Sequence, residues 1–239
     1  MLNSYDNCSY NESYEILADR FSKNPIIDVV KSKKNLGFAK GNNLGIKNII
    51  KNHKLKFALV VNNDTVFTDP DFISKMIAGY KDGIGVIGPV IRTPSKVQAE
   101  FNVPLSFKNC LFAYLNFWSA KKGSSFDLPL DLTKKRMVLH GCCLMLTPSY
   151  FRYYKNFFPL TFLFSEEEII FLRCCRKNLR ELYLSSLEIY HKEDGASELS
   201  FGNENSMKMK FFAQSKKYVL LHLLITPKAK IDCGYVKGE

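Results

Sequence analysis

The sequence predicts an α/β fold, a mostly parallel sheet flanked by helices, on three observations. Segments of helical period alternate with short apolar runs up to about residue 92, which is the rhythm of βαβ units. Two of those runs, FALVV (57–61) and GIGVIGPVI (83–91), are almost continuously apolar, as strands covered on both faces are. The 239 residues suffice for one good-sized domain with a real core.

The elements follow in order. NESYEILADRFSK (11–23) places Tyr14, Leu17, Ala18 and Phe21 at helical spacing. IIDVVK (26–31) is a short β-rich run. NLGFAKGNNLGI (35–46) holds three glycines and continues as the helical NNLGIKNIIKNHK (42–54). FALVV is a buried strand, broken by NNDT (62–65). In TDPDFISKMIAGY (68–80), Asp69 is the expected N-cap and Pro70 the first helical residue. GIGVIGPVI is the next strand. Residues 92–136 carry three prolines, many aromatics and no clear period; they read as an insertion or flap on the sheet, with FKNCLFAYLNFW (107–118) as its helix. MVLHGCCLMLT (137–147) resumes as a strand, and Thr147 with Pro148 caps the short helix SYFRYY. In TFLFSEEEIIFLRCCRKN (161–178), Ser165 and Glu168 form a capping box that starts a helix at Glu166. Residues 206–239 form a basic, apolar-faced helix and tail, apart from a main unit of residues 1–205.

Composition narrows the class. No apolar run reaches the roughly 20 residues of a membrane span, and no basic-then-apolar N-terminal segment suggests a signal peptide. The net charge of +11 favours anionic partners such as phosphates or an anionic membrane surface. The lysines are scattered, and the aromatics sit in apolar runs rather than between basic residues, which argues against nucleic acid. The seven cysteines include two adjacent pairs and no CxxC. That is no zinc site or disulfide framework, and they read as small core residues in a reducing cytoplasm.

Ligands of parallel α/β sheets bind at the carboxyl ends of strands. YDNCS, NLGFAKGNN, NNDT, SEEE and HKEDGAS all fall at or near such ends. Asp64, at the mouth of a buried strand, suits a divalent cation that a diphosphate completes; NNDT reads equally as a turn. Gly37 and Gly41 let backbone approach a ligand near a helix N-terminus, where anions are welcome; by spacing alone the segment is also a plain glycine loop. Glu166, Glu167 and Glu168 complement a helix dipole, by about 0.3–1 kcal/mol each, which accounts for Glu168. A carboxylate held there is also a base for a sugar hydroxyl, kept ionised by that dipole. His191 is either structural or a ligand for a metal or phosphate.

In this order and rough spacing, NLGFAKGNNLGI, VVNNDTVFTDPDF, FLFSEEEIIFLR and HKEDGAS resemble the family-2, GT-A-fold (Rossmann-like) glycosyltransferases. The similarity covers most of the chain to about residue 200 and is nearest to the rhamnosyltransferase-like, capsular polysaccharide subgroup. The resemblance implies an inverting transferase using a nucleotide-sugar donor, a glycan acceptor and Mg²⁺ or Mn²⁺. By it, Asp64 is the metal ligand, helped by His191, and Asn62 stands where many members have a first aspartate. Glu167 falls on the catalytic base, with Glu166 beside it and Arg173 on a following arginine. Gly37, Gly41 and Asn42 line the nucleotide together with Asn62 and Asn63. YDNCSYNESYE resembles the segment whose aspartate, here Asp6, reads the base. The family has a strand and helix before that segment, whereas only MLNS precedes it here. The expectation is therefore an N-terminally truncated domain lacking a strand beside the nucleotide site, with a non-catalytic remnant as the rival reading. A lipid-linked acceptor, and a tail lying on the inner membrane surface, complete the expectation.

Overall fold

The computed structural model describes residues 2–52, 56–94, 97–98, 101–103, 105–119, 136–193 and 205–238. The chain opens with a βαβ unit. Strands β1 (Leu2–Asp6) and β2 (Ile27–Lys31) pair in parallel around helix α1 (Ser13–Phe21) and form a two-stranded sheet of their own. Helix α2 (Gly37–Asn52) then leads to β3 (Ala58–Val61), the start of the main sheet. Its core positions Ala39 and Ile46 are buried against residues of that sheet.

The main sheet also holds β4 (Thr65–Phe67), β5 (Ile84–Arg92), β6 (Val97–Gln98), β9 (Cys143–Leu146), β10 (Arg180–His191) and β11 (Tyr235–Gly238). The order across it is β11-β10-β5-β9-β3, with β4 added on β10 and β6 on β5. The α/β class stands, but the sheet is mixed. β10 runs parallel to β5 and β11, whereas β9 is antiparallel to both β3 and β5. The parallel expectation rested on helix–strand alternation, which stops at Arg92. β3 and β5, joined through helix α3 (Phe72–Ala78), do obey it, since both oppose β9. Ile84 through Ile91 are all buried, as the unbroken apolar run required.

Two expectations change. Residues 137–147 make two strands, not one. β8 (Arg136–Val138) pairs with β7 (Phe101–Val103) in a separate sheet, and a turn at residues 139–142 separates it from β9. The helix of the middle section forms as α4 (Phe107–Ser119), but it packs against α7 (Asn205–Leu224) rather than on the sheet. Parts of that section, including residues 120–135, lie outside the described residues. Residues 206–238 pack on the rest of the chain. Ala213, Ser215, Lys216, Val219 and Leu220 of α7 are buried, and β11 extends the main sheet. Short helix α8 (Lys228–Asp232) connects the two.

α5 (Pro148–Phe151) is capped as expected, Thr147 accepting from the Tyr150 N–H at 3.4 Å. α6 (Glu166–Arg176) buries nine of its residues between the sheet and α7. Five cysteines, at 110, 142, 143, 174 and 175, are buried with high thiol pKa values set first by desolvation. They are core residues, as read.

A carboxyl group also lies in the core. Glu181 on β10 is fully buried and accepts the Leu139 N–H at 3.0 Å. Burial raises its pKa from 4.5 to about 8. The folded chain therefore holds a proton that the unfolded chain releases, so stability falls as pH rises from about 4.5 to about 8. Glu181→Gln keeps the acceptor oxygen and removes the titration. It is expected to raise the unfolding midpoint at pH 8 and flatten its pH dependence, as measured by thermal denaturation across that range.

Candidate active site

The NNDT segment is a turn, and the turn places a carboxylate. Asn62 donates its N–H to the Cys142 carbonyl at 2.9 Å, and the Thr65 hydroxyl donates to the Asn62 carbonyl at 2.7 Å. β4 then runs antiparallel to the end of β10, pairing Thr65 with His191, and Lys192 N–H donates to the Asp64 carbonyl at 2.9 Å. This register, not sequence proximity, sets Asp64 Oδ1 3.1 Å from His191 Nε2. The two side chains are only 13% and 11% exposed. Neither of those atoms, nor His191 Nδ1, has an aligned hydrogen-bond partner among the described residues. Buried polar atoms left this way call for a partner.

A carboxylate and an imidazole with unused lone pairs fit a divalent cation of the Mg²⁺ or Mn²⁺ type. No group of three His, Cys, Asp or Glu that could hold a metal occurs among the described residues. The other coordination positions are then available to phosphate and water, the usual division for such ions. Of HKEDGAS, residues 194–197 lie outside the described residues.

The acid turn also meets the 139–142 turn. Gly141 lies directly against the Glu167 carboxylate, which would have to shift to admit a Cβ there. Cys142, the next residue, feels the charges of both Asp64 and Glu167. Asp64 and Glu167 thus both lie near the same two-residue stretch. His140, one residue earlier, lies with its ring 5.9 Å from that of His191.

Two expectations about the acid turn are corrected. Ser165 makes no capping hydrogen bond and adopts a left-handed conformation, φ 65°, as does Phe164, φ 72°. Glu168 pairs instead with Lys216 of α7, so the capping box does not form. Nor does the helix dipole keep the acids at ordinary values. Burial, then repulsion from Glu167, lifts Glu166 to about 8. Burial likewise raises Glu167, despite backbone hydrogen bonding that pulls the other way. Desolvation of a carboxylate here outweighs a dipole term of about 0.3–1 kcal/mol. Glu166 and Glu168 are buried, whereas Glu167 keeps partial exposure. Arg173 points away, donating to the Asn156 carbonyl at 2.8 Å with its guanidinium 3.9 Å from the Tyr154 ring.

The glycine segment meets protein. Gly37 has φ 75°, and a Cβ would collide with the Phe162 carbonyl, which accepts the Phe38 N–H at 2.8 Å. Asn7 accepts the Leu36 N–H at 2.9 Å and donates to the Gly37 carbonyl at 3.2 Å, and Asn35 accepts the Gly37 N–H at 2.9 Å. The amides of residues 36–38 at the start of α2 are therefore satisfied within the chain. Gly41 lies against the Asn7 side chain, and Asn42 donates to the Phe38 carbonyl at 3.0 Å. Asp6 accepts from Ser9 N–H at 2.9 Å and Ser13 hydroxyl at 3.1 Å. Burial alone would raise its pKa, but these bonds outweigh burial and lower it.

The named residues thus form one chain of neighbours. Asp6 and Asn7 adjoin Gly37 and Gly41, Gly37 touches Phe162, and the stretch after Phe162 leads to Glu166 and Glu167. Gly141 and Cys142 then connect to Asn62, Asp64 and His191. Asn63 is exposed in the turn. Sequence reading passed over Asn7, Gly141 and Lys216. Only Asn7 left a signal, inside the YDNCS cluster.

A family model described as "Glycosyl transferase family 2" matches residues 4–153. No curated protein matches the chain. Among solved structures, the mannosyltransferase PcManGT from Pyrobaculum calidifontis, in complex with GDP-Man and Mn²⁺, is similar over 93% of this chain and 63% of its own, with TM-score 0.53 and 11% identity. GalNAc-T7 with UDP, GalNAc and Mn²⁺ is similar over 80% of this chain and 37% of its own, with TM-score 0.55 and 11% identity. The chain spans less than two thirds of the length of either. At that identity the likeness concerns the fold.

Proposed function

The chain belongs to glycosyl transferase family 2, and from that membership we propose that it transfers a sugar from a nucleotide-sugar donor to a glycan acceptor, with inversion at the anomeric carbon. The observation that carries the reading is that Asp64 and Glu167 both lie near the Gly141–Cys142 stretch, Glu167 against Gly141 and both charges acting on Cys142. A metal-bound diphosphate and an acceptor hydroxyl would then meet one sugar at this stretch.

Glu167 is the base. Its carboxylate takes the hydroxyl proton as the acceptor oxygen bonds to the anomeric carbon. The bond from that carbon to the phosphate oxygen breaks, and the nucleoside diphosphate departs from the opposite face. A base works best with a pKa near the operating pH, and burial moves Glu167 in that direction. Glu166, at about 8, keeps its proton at pH 7 and adds little negative charge beside it. Asp64 and His191 would hold the divalent cation. Bound there, Mg²⁺ or Mn²⁺ neutralises the leaving diphosphate. The nucleotide lies along Asp6, Gly37, Gly41, Asn42, Asn62 and Asn63. Because the amides at the start of α2 are taken, it would meet side chains there rather than a free helix N-terminus.

The finer reading is a hexosyl or rhamnosyl transferase of bacterial surface polysaccharide synthesis. It would act in the cytoplasm on a lipid-linked glycan at the inner face of the plasma membrane. The motif order and the net charge of +11 support it, and no described helix is long and apolar enough to cross a membrane. The test is calorimetry with UDP-, dTDP- and GDP-sugars in Mn²⁺, followed by an assay for released nucleoside diphosphate with glycan acceptors. Binding of one donor class and its turnover are expected. No heat with any donor would leave the fold as a non-catalytic remnant.

A further inference from the structure

We infer that Lys216 is a positioning residue for this reaction: from α7 it pins Glu168, and so fixes the turn that carries Glu166 and Glu167. The inference rests on the transferase reading above.

Lys216 and Glu168 form an ion pair in which each side chain is only 8% exposed. α7 grips the same stretch at three further points. The Ser215 hydroxyl donates to the Leu163 carbonyl at 2.9 Å. Phe211 stacks on Phe162 with ring centroids 4.4 Å apart, and Phe212 meets Phe164 nearly edge-on at 6.2 Å. These contacts bracket Phe164 and Ser165, the consecutive left-handed residues. Non-glycine residues hold such backbone only where their surroundings over-determine it. Here α7 supplies much of that restraint.

The ion pair has a directional role beyond stability. Desolvation offsets most of the attraction in a buried pair, and two well-packed apolar side chains often serve the fold as well. What apolar residues cannot do is choose which carboxylate goes where. The first turn of α6 offers three adjacent acids. Lys216 draws Glu168 towards α7, away from the Ser165 N–H that a capping glutamate would occupy. Glu167 is then the carboxylate set against Gly141.

The test compares full-length Lys216→Met, Lys216→Arg and the double variant Lys216→Met/Glu168→Met with the unaltered chain. Two readouts are used: steady-state kcat and donor KM with the donor found by calorimetry, and hydrogen exchange at the amides of residues 163–168. Lys216→Met should lower kcat on the order of 10–100-fold, the cost of misplacing a reacting group, and leave donor KM unchanged. Its amides at 163–168 should exchange faster. Lys216→Arg should recover most of kcat. If Lys216→Met fails to fold, the apolar double variant, which buries no unpaired charge, decides; it should fold and remain slow. Wild-type kcat in the double variant, or unchanged exchange in Lys216→Met, would make the pair purely structural and overturn the inference. Should the unaltered chain transfer no sugar, the transferase reading falls, and the exchange comparison still decides whether Lys216 holds the turn.

Discussion

Glu167→Gln is expected to lower turnover by roughly 10²–10⁴-fold, the range for loss of a positioned general base, with donor affinity unchanged in calorimetry. The substitution is close to isosteric and leaves the space against Gly141 filled, so the loss reports proton transfer rather than packing. The unaltered enzyme should also show an acid limb in kcat/KM. Because burial raises the Glu167 carboxyl, activity should climb with pH through a limb lying above 4.5, the ordinary glutamate value, and the Gln variant should lack that limb. A Gln variant turning over near the normal rate would remove Glu167 from the chemistry and turn attention to Glu166.

Asp64→Ala carries the second large effect. It should abolish the Mn²⁺ dependence of donor binding and reduce turnover by on the order of 10³-fold, about 4 kcal/mol in barrier height. His191 would keep only one ligand atom for the ion. Donor titrations with and without Mn²⁺ check this, with the thermal midpoint as a control for folding. If the variant binds donor as the unaltered chain does, with the same metal dependence, the cation is held elsewhere.

What the sequence disclosed follows from how local each signal is. Alternating helical and apolar periods are local, so α1, α2, α3, β3, β5 and α4 were legible. Strand direction is a property of pairs. Nothing in CLML says that β9 enters between β3 and β5 pointing the other way. The capping box at Ser165 and Glu168 was a sound local reading that lost to a partner 48 residues away, Lys216. The charge state of the acid turn was misjudged for a similar reason. The dipole is visible in three consecutive glutamates, whereas the burial that overrides it comes from the packing of distant elements around them. Asp64 and His191 were each legible as candidate ligands and were joined in one site only by resemblance; their meeting depends on the pairing of β4 with the end of β10. The glycines of NLGFAKGNNLGI were legible as a place of close approach. That Phe162 backbone fills the space at Gly37 was not, since no pattern connects residues 37 and 162.

The carbonyl of Phe162 has a further consequence. It anchors the first turn of α2 and lies only four residues ahead of α6. Any shift of the nucleotide-side loop is therefore handed on as a tug on the acid turn. The two ends of the candidate site should therefore respond together: a substitution at Gly37 that displaces Phe162 is expected to disturb the acid turn as well.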